Sequence, residues 1–384
     1  MYLIMAEETI LVVDDEIANL QKLRRTLINR YPVLAASSGG EALDLVQKNN
    51  EIAVIVADQR MPDMTGVDFL RQTLDILPHA VRIILTGFTD VDVLMDAINS
   101  CKVYRYIVKP WEPADLLMTV ERGLEAHRLA KENEHFRKEL VRRERLAREL
   151  EIASEIQRYI LPLTTLVLEG YEMAVEYHPA REVGGDLYDF ECDAQALQIV
   201  IGDVSGKSIP AALYGAVFSG QLRAIFPGAP SPADALRVLN NNLVARYQSA
   251  NYIAVAYCRI DPVDGSGILA NGGMPFPFLV RGNSVDRVEL PGIPLGLMEE
   301  VSYDALRFQL DPGETLVLVS DGATEALNRD GQFYDIDRFT ESVSRNSGKD
   351  TAVFLKSIYS DVLQFIGGAE LSDDITMIAL RRKK

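Results

Sequence analysis

The sequence predicts an α/β chain of two folded domains joined by a long helix, the first built on a parallel sheet and the second on antiparallel sheets. Three observations carry this. Residues 9–108 alternate strand-like and helix-like runs with short connections, the pattern of a parallel sheet covered by helices on both faces. Residues 115–161 form a mixed-charge run with no Gly between Gly123 and Gly170 and no Pro between Pro113 and Pro162. Beyond Pro162 strand-like runs cluster and helical ones come in separate blocks, which favours antiparallel sheets flanked by helices. At 384 residues the chain also exceeds the size at which one hydrophobic core keeps growing.

In the first third, strands are expected at Thr9 to Val13, Val33 to Ala36, Val54 to Ala57, Val81 to Leu85 and Tyr104 to Val108. Helices are expected between them, at Ile17 to Asn29, Gly40 to Lys48 and Asp90 to Asn99 among others, giving five strands and five helices in a doubly wound sheet. Functional loops of such a sheet lie at the carboxyl ends of its strands. There stand Asp14 and Asp15, Asp58, Thr86, and Lys109 followed by Pro110. A lone Asp after a strand is commonly a helix cap or turn residue. Together these residues suit phosphoryl chemistry, because a carboxylate attacks phosphorus usefully only when a cation and an ammonium offset the repulsion between anions.

This constellation resembles the receiver domain of bacterial two-component response regulators, over roughly residues 8–126. The resemblance implies a flavodoxin-like fold in which Asp14 and Asp15 hold Mg²⁺ and Asp58 is the phosphoacceptor and a further ligand. It also implies that the Arg60 carbonyl completes the ion's shell, that Lys109 contacts the phosphoryl group, and that Thr86 and Tyr106 form a switch pair. An upstream histidine kinase is the implied partner.

The helical run carries Leu129, Phe136, Leu140, Ala147 and Leu150 on one seam, interrupted by Asn133 and Arg143. Spacings of three, four and seven are those of a coiled coil, so the run is expected to pair in a parallel homodimer rather than remain a solvated spacer. It would also act as a rigid lever. The expected domains are therefore 1–126, a helical linker at 127–161, and 162–384.

In the last part, strands are expected at Met173 to Tyr177, Leu187 to Phe190, Leu197 to Ile201, Ile253 to Arg259, Gly267 to Ala270, Phe278 to Val280, Thr315 to Val319 and Ile375 to Leu380. Helices are expected at Ile209 to Ile225, Ser231 to Tyr247 and Asp350 to Phe365. Four acidic pieces punctuate these runs: Gly184-Gly185-Asp186, Gly202-Asp203-Val204-Ser205-Gly206, Ser320-Asp321-Gly322 and Ser372-Asp373-Asp374. Carboxylates converging from strand ends without a His or Cys cluster make a hard oxygen site, suited to Mg²⁺ or Mn²⁺. Two such ions suit hydrolysis of a phosphate ester.

The order of these pieces, with Ile156-Gln157, Leu161-Pro162, Leu187-Tyr188-Asp189, Pro294-Leu295-Gly296, Ala323-Thr324-Glu325 and Ile375-Thr376, resembles the stage II sporulation protein E branch of the metal-dependent PPM serine/threonine phosphatases. That resemblance implies an α/β/β/α sandwich of antiparallel sheets holding two Mn²⁺ or Mg²⁺. Asp203 would be shared by both ions, and Asp186, the Val204 carbonyl, Asp321 and Asp373 would complete the shells, with Asp374 the alternative to Asp373. The implied substrate is a phosphorylated protein, an anti-sigma factor antagonist. Where the family has Gly and an Asn-Ala-Gly-His-Pro-Pro pattern, this chain has Ser208 and Met274; Ser208 is expected to alter only a turn, and Met274 removes a His that could donate to the substrate. Ser205 occupies the place of the eukaryotic relatives' His acid. Arg181, before the glycine turn, reads as a solvated side chain, and His79, His127, His135 and His178 as isolated.

A net charge of −17 argues against a general nucleic-acid binder, and no segment reads as membrane-spanning. Met1 to Met5 reads as a leader to the first strand, with Met5 a second possible start. Three widely spaced cysteines favour buried thiols in a reducing cytoplasm over a disulfide framework. The function expected is a response regulator with a phosphatase output; the alternative is a non-catalytic adaptor whose phosphatase-like domain binds a partner protein.

Overall fold

The computed structural model describes residues 8–87, 101–162, 165–193, 195–228, 231–246 and 251–384. The chain divides into two compact units, Met1–Glu144 and Arg145–Lys384. The expected helix at Asp90 to Asn99 lies outside the described residues.

The first unit runs β1 (Thr9–Val13), α1 (Ile17–Leu27), β2 (Val33–Ala36), α2 (Gly39–Lys48), β3 (Ile52–Asp58), α3 (Gly66–Gln72), β4 (Val81–Thr86) and β5 (Val103–Val108). Its strands form one parallel sheet in the order β2-β1-β3-β4-β5. β3 and β4 are buried along their whole length, as strands covered on both faces must be. Leu23 and Leu27 of α1 pack on one face with Leu116, Val120 and Leu124, and Ala42, Val46, Phe69 and Leu70 of α2 and α3 pack on the other. Ser38 and Thr65 cap α2 and α3 by accepting the Glu41 and Asp68 amides at 3.2 and 3.1 Å.

Helix α4 spans Pro113–Ile160, 48 residues, close to the expected run. Its buried positions end at His127, and Leu129, Phe136 and Leu140 of the seam are exposed.

The second unit contains β6 (Thr165–Leu168), β7 (Tyr171–His178), β8 (Asp186–Cys192), β9 (Leu197–Val204), α5 (Ile209–Ile225) and α6 (Pro232–Arg246). It continues with β10 (Ile253–Ile260), β11 (Ser266–Gly272), β12 (Phe278–Arg281), β13 (Ser284–Arg287), β14 (Ala305–Gln309), β15 (Thr315–Val319), α7 (Asp321–Thr324), α8 (Asp335–Asn346), α9 (Thr351–Ile366) and β16 (Ile375–Arg382). Two antiparallel sheets result, β14-β11-β10-β9-β8 and β13-β12-β15-β16-β7-β6. Between them pack Tyr188, Ile199, Ile201, Cys258, Leu316 and Ile378. Phe218 and Leu239 of α5 and α6 cover one outer face, and Phe339 and Phe354 of α8 and α9 the other, which makes the expected α/β/β/α sandwich. β6, β13, β14 and α8 were not foreseen: β13 and β14 are edge elements with mostly exposed side chains, so no apolar run announces them.

Two expectations need correction. Cys101 and Cys258 are buried but Cys192 is exposed, because it ends β8 where the strand leaves the sheet. Three of the four histidines have partners: His79 Nε2 meets a Glu134 carboxylate oxygen, His127 Nδ1 donates to the His79 carbonyl at 2.8 Å, and His178 stacks on Tyr359 with ring centroids 3.6 Å apart.

Burial holds the His127 imidazole below the ordinary histidine range, and its bond to the His79 carbonyl only partly opposes this. The folded chain therefore disfavours the charged form. Above the unfolded value, near 6.5, both states are neutral and His127 contributes nothing to pH dependence; as pH falls below it, protonation favours unfolding until the lower folded value is passed. Urea unfolding followed by the chain's single tryptophan, which reports the first unit, should show stability falling from pH 7 to 5, with a smaller slope in His127→Gln. An unchanged slope would exclude His127 as the source.

Candidate active sites in the two units

In the first unit the loops after β1, β3 and β5 bring Asp14, Asp58 and Lys109 together. Lys109 Nζ lies 2.9 Å from Asp14 Oδ2 and 2.7 Å from Asp58 Oδ1. Among the described residues, Asp14, Asp15 and Asp58 are the group of three carboxylates whose oxygens come within 4.8 Å of one another. Burial raises the Asp58 carboxyl above the ordinary range while Lys109 pulls it down; for Lys109, burial opposes the charge, and Asp58 and Asp14 outweigh it. Three carboxylates facing one ammonium leave net negative charge on hard oxygens, and this donor set fits Mg²⁺.

Glycine is required where α3 begins: a Cβ on Gly66 would stand 2.2 Å from the Asp58 carbonyl oxygen. Thr86 is buried at the end of β4, Tyr106 is exposed on β5, and Arg60 is exposed on the loop after Asp58. Trp111, two residues after Lys109, is buried beneath Lys22, whose ammonium lies 4.8 Å from the ring centroid.

In the second unit Asp186 opens β8 and Asp203 stands next to the end of β9, and the two are direct cross-strand partners. Asp321 begins α7 just after β15, and Asp373 precedes β16, so the opposite sheet supplies the other pair. Burial first, then Asp321, Asp373 and Asp374, pushes the Asp203 carboxyl up to about 7. Asp186 is raised by burial and by Asp203, against a hydrogen bond donated by the Thr376 hydroxyl. Burial, Glu325 and Asp373 raise Asp321. Such crowding calls for cations. A Cβ on Gly185 would come 2.9 Å from the Val204 carbonyl oxygen, so glycine lets the Asp186 turn close on that oxygen. No three of these carboxylates bring their oxygens within 4.8 Å of one another, so they do not form the compact trio seen in the first unit.

Beside the aspartates lies a cavity of about 120 Å³ lined by Arg181, Gly206, Lys207, Ser208 and Asp373 among others. Lys207 Nζ is 3.4 Å from Asp373 Oδ2, and Arg181 is exposed on the cavity's edge. Met274, by contrast, is buried between the two sheets, away from this cavity.

A response regulator receiver model matches residues 10–121 and a stage II sporulation protein E model matches residues 193–383. The chain carries a receiver domain followed by a stage II sporulation protein E domain. Asp203, Asp321 and Asp373 fall within the second match and Asp186 just ahead of it. The receiver end is 42% identical over 123 residues to the hydrogenase transcriptional regulatory protein HoxA of Cupriavidus necator, which covers 32% of this chain and 25% of that protein. The phosphoserine phosphatase RsbU of Bacillus subtilis is 28% identical over 239 residues, 61% of this chain and 70% of that one. Among solved structures, the SiaA-PP2C domain of Pseudomonas aeruginosa aligns with a TM-score of 0.57 and 22% identity, over 63% of this chain and 98% of that one, a likeness of fold.

Two residues around the second unit's acidic site, Gln157 and Arg223, were given no individual role from sequence. Gln157 clasps Gly184, its Nε2 donating to the Gly184 carbonyl at 2.8 Å and its Oε1 accepting the Gly184 amide at 3.1 Å. Arg223 joins the buried Asp189 at 2.7 Å and donates to the Ile160 carbonyl. Their partners are remote in sequence, so spacing gives no sign of them.

Ser208 does more than alter a turn. It has φ 67° and ψ −151°, a region that a side chain strains, and as the residue preceding α5 it makes no capping bond through its hydroxyl. Ser208→Gly should therefore stabilise the domain by about 1 kcal/mol, read as a rise in denaturation midpoint at constant slope. A fall would show that the serine is held there without strain.

Proposed function

We propose that this chain is a phosphorylation-controlled response regulator whose output is a metal-dependent phosphoserine/phosphothreonine protein phosphatase. One observation carries the reading: Asp186 and Asp203 on one sheet and Asp321 and Asp373 on the other crowd one end of the sandwich, beside a cavity rimmed by Arg181 and Lys207. The likeness to RsbU supports the reaction class.

Asp186, Asp203, the Val204 carbonyl, Asp321 and Asp373 would hold two Mn²⁺ or Mg²⁺, with Asp203 shared; bound there, the ions supply a nucleophilic water at neutral pH and charge to offset the phosphoryl oxygens. Asp186 is buried and Asp203 half-buried, which limits the screening of that charge by water. Arg181 and Lys207 are placed to receive the phosphorylated segment of the substrate, which we assign, with the family, to an anti-sigma factor antagonist. In the receiver, Asp14, Asp15, Asp58 and the Arg60 carbonyl would hold one Mg²⁺. Asp58 accepts the phosphoryl group from a histidine kinase, Lys109 offsets its charge, and Thr86 and Tyr106 respond to it.

We assign 127–161 as the linker through which two chains pair, supported by the exposed Leu129, Phe136 and Leu140, with 1–126 the receiver and 162–384 the phosphatase domain. The place of action is the cytoplasm; no helix among the described residues is long and apolar enough to cross a membrane.

Asp203→Asn and Asp321→Asn should each lower Mn²⁺-dependent hydrolysis of a phosphoserine protein or an aryl phosphate by about two orders of magnitude or more while the circular dichroism spectrum is unchanged. Wild-type turnover in both variants, or wild-type chain inert at every Mn²⁺ concentration, would instead favour the adaptor reading.

Beryllofluoride with Mg²⁺ should load Asp58 and alter emission of the single tryptophan, Trp111, which lies two residues from Lys109. Asp58→Asn should abolish the change. A response that survives in Asp58→Asn would place the phosphoacceptor elsewhere.

A further inference from the structure

The two adjacent aspartates before β16 are used differently. Asp373 has a side chain 48% exposed and pairs with Lys207. Asp374 is buried, and its carboxylate is turned into the backbone of the loop that leads to Asp186. Its Oδ1 accepts the Ala180 amide at 2.7 Å, and its Oδ2 accepts the Gly185 amide at 2.5 Å and the Asp186 amide at 3.3 Å. Three N–H groups converging on one carboxylate form a nest for an anion, and here the chain provides the anion itself. Bonds of this kind, with a charged acceptor, are roughly twice as strong as neutral ones.

The surroundings fit the same purpose. A Cβ on Gly184 would stand 2.6 Å from Asp374 Oδ2, so the glycine allows the loop to wrap the carboxylate closely. Asp374 is itself fixed, because its carbonyl accepts the Ser320 hydroxyl at 3.3 Å and Ser320 Oγ accepts the Thr376 amide at 2.9 Å. Thr376 in turn donates its hydroxyl to Asp186 Oδ2. The start of β16 thus holds both the backbone and the side chain of Asp186, a residue on the other sheet. Three of the carboxylate's roughly four lone-pair sites are occupied by amides, which leaves little capacity for an ion.

We propose that Asp374 is a positioning residue: it sets the place of Asp186 in the acidic site through the Ala180, Gly185 and Asp186 amides and is not an ion ligand. This rests on the metal-centre reading above and deepens it by separating Asp373 from Asp374. Removing the carboxylate charge leaves the loop's amides without their acceptor, so Asp186 is held less firmly while every ion ligand remains.

The test is Mn²⁺ binding to the full chain, with free ion counted by electron paramagnetic resonance, for wild type, Asp374→Asn, Asp373→Asn and Gly184→Ala. In Asp374→Asn the affinity of the output-domain ions should fall about 10–100-fold, the usual cost of losing a partner that orients a ligand, with the stoichiometry at saturation unchanged. Its kcat should recover most of the way at saturating Mn²⁺ with KM for a phosphoserine substrate unaltered. Gly184→Ala, which pushes on the same carboxylate from the loop side, should behave alike, and it serves as the independent variant if Asp374→Asn does not fold. Asp373→Asn should lose one ion from the stoichiometry and recover little activity. Wild-type affinity in both Asp374→Asn and Gly184→Ala would overturn the proposal, as would loss of an ion in Asp374→Asn with full stoichiometry in Asp373→Asn. Wild-type chain binding no Mn²⁺ beyond the receiver's share would overturn the metal-centre reading itself, and the proposal with it.

Discussion

Both units hold carboxylates closer together than carboxylates tolerate in water, and much of the local structure serves to make that tolerable. In the receiver the counter-charge is a single side chain, Lys109, which reaches Asp14 and Asp58 at once from the end of β5. In the output domain the relief comes largely from the backbone: the amides of Ala180, Gly185 and Asp186 converge on Asp374, and the Thr376 hydroxyl turns to Asp186. Asp186 and Asp203, partners on adjacent strands, are both left raised by burial and by neighbouring carboxylates. Crowded carboxylates of this kind offer hard oxygens whose mutual repulsion a divalent cation relieves.

The glycines follow from the same constraint. Carboxylates can converge only if the chain passes very near neighbouring atoms, and Gly66, Gly184 and Gly185 are among the places where it does. Added side chains there would collide with the Asp58 carbonyl, the Asp374 carboxylate and the Val204 carbonyl respectively. The acidic residues and the small residues beside them are one device.

Most of the architecture was legible because it is written in local pattern. β3, β4 and β15 are predominantly apolar runs buried along their whole length, with Arg82 the one charged residue inside β4, and their limits were close to those expected. β14 was not legible, since Ala305–Gln309 alternates exposed and half-buried side chains at a sheet edge. The same division applies to the sites. Asp58, Asp186, Asp203 and Asp321 announce themselves by standing against Gly or a strand end, whereas Asp373 and Asp374 are identical in type and adjacent, and only through-space contacts tell them apart. Gln157 and Arg223 belong to that second class, with partners 27 and 34 residues away.

The placement of the four output-domain aspartates has a thermodynamic corollary. Two lie on the sheet β14-β11-β10-β9-β8 and two border strands of the sheet β13-β12-β15-β16-β7-β6, so ions bound among them would tie the halves of the sandwich at one edge. A ligand that binds only the assembled state adds RT ln(1 + [L]/Kd) to its stability, about 2.7 kcal/mol when free ligand is at 100 times Kd. Resistance to unfolding would then track the free concentration of the metal, and the domain's lifetime under stress would register the ionic state of its surroundings as well as its sequence.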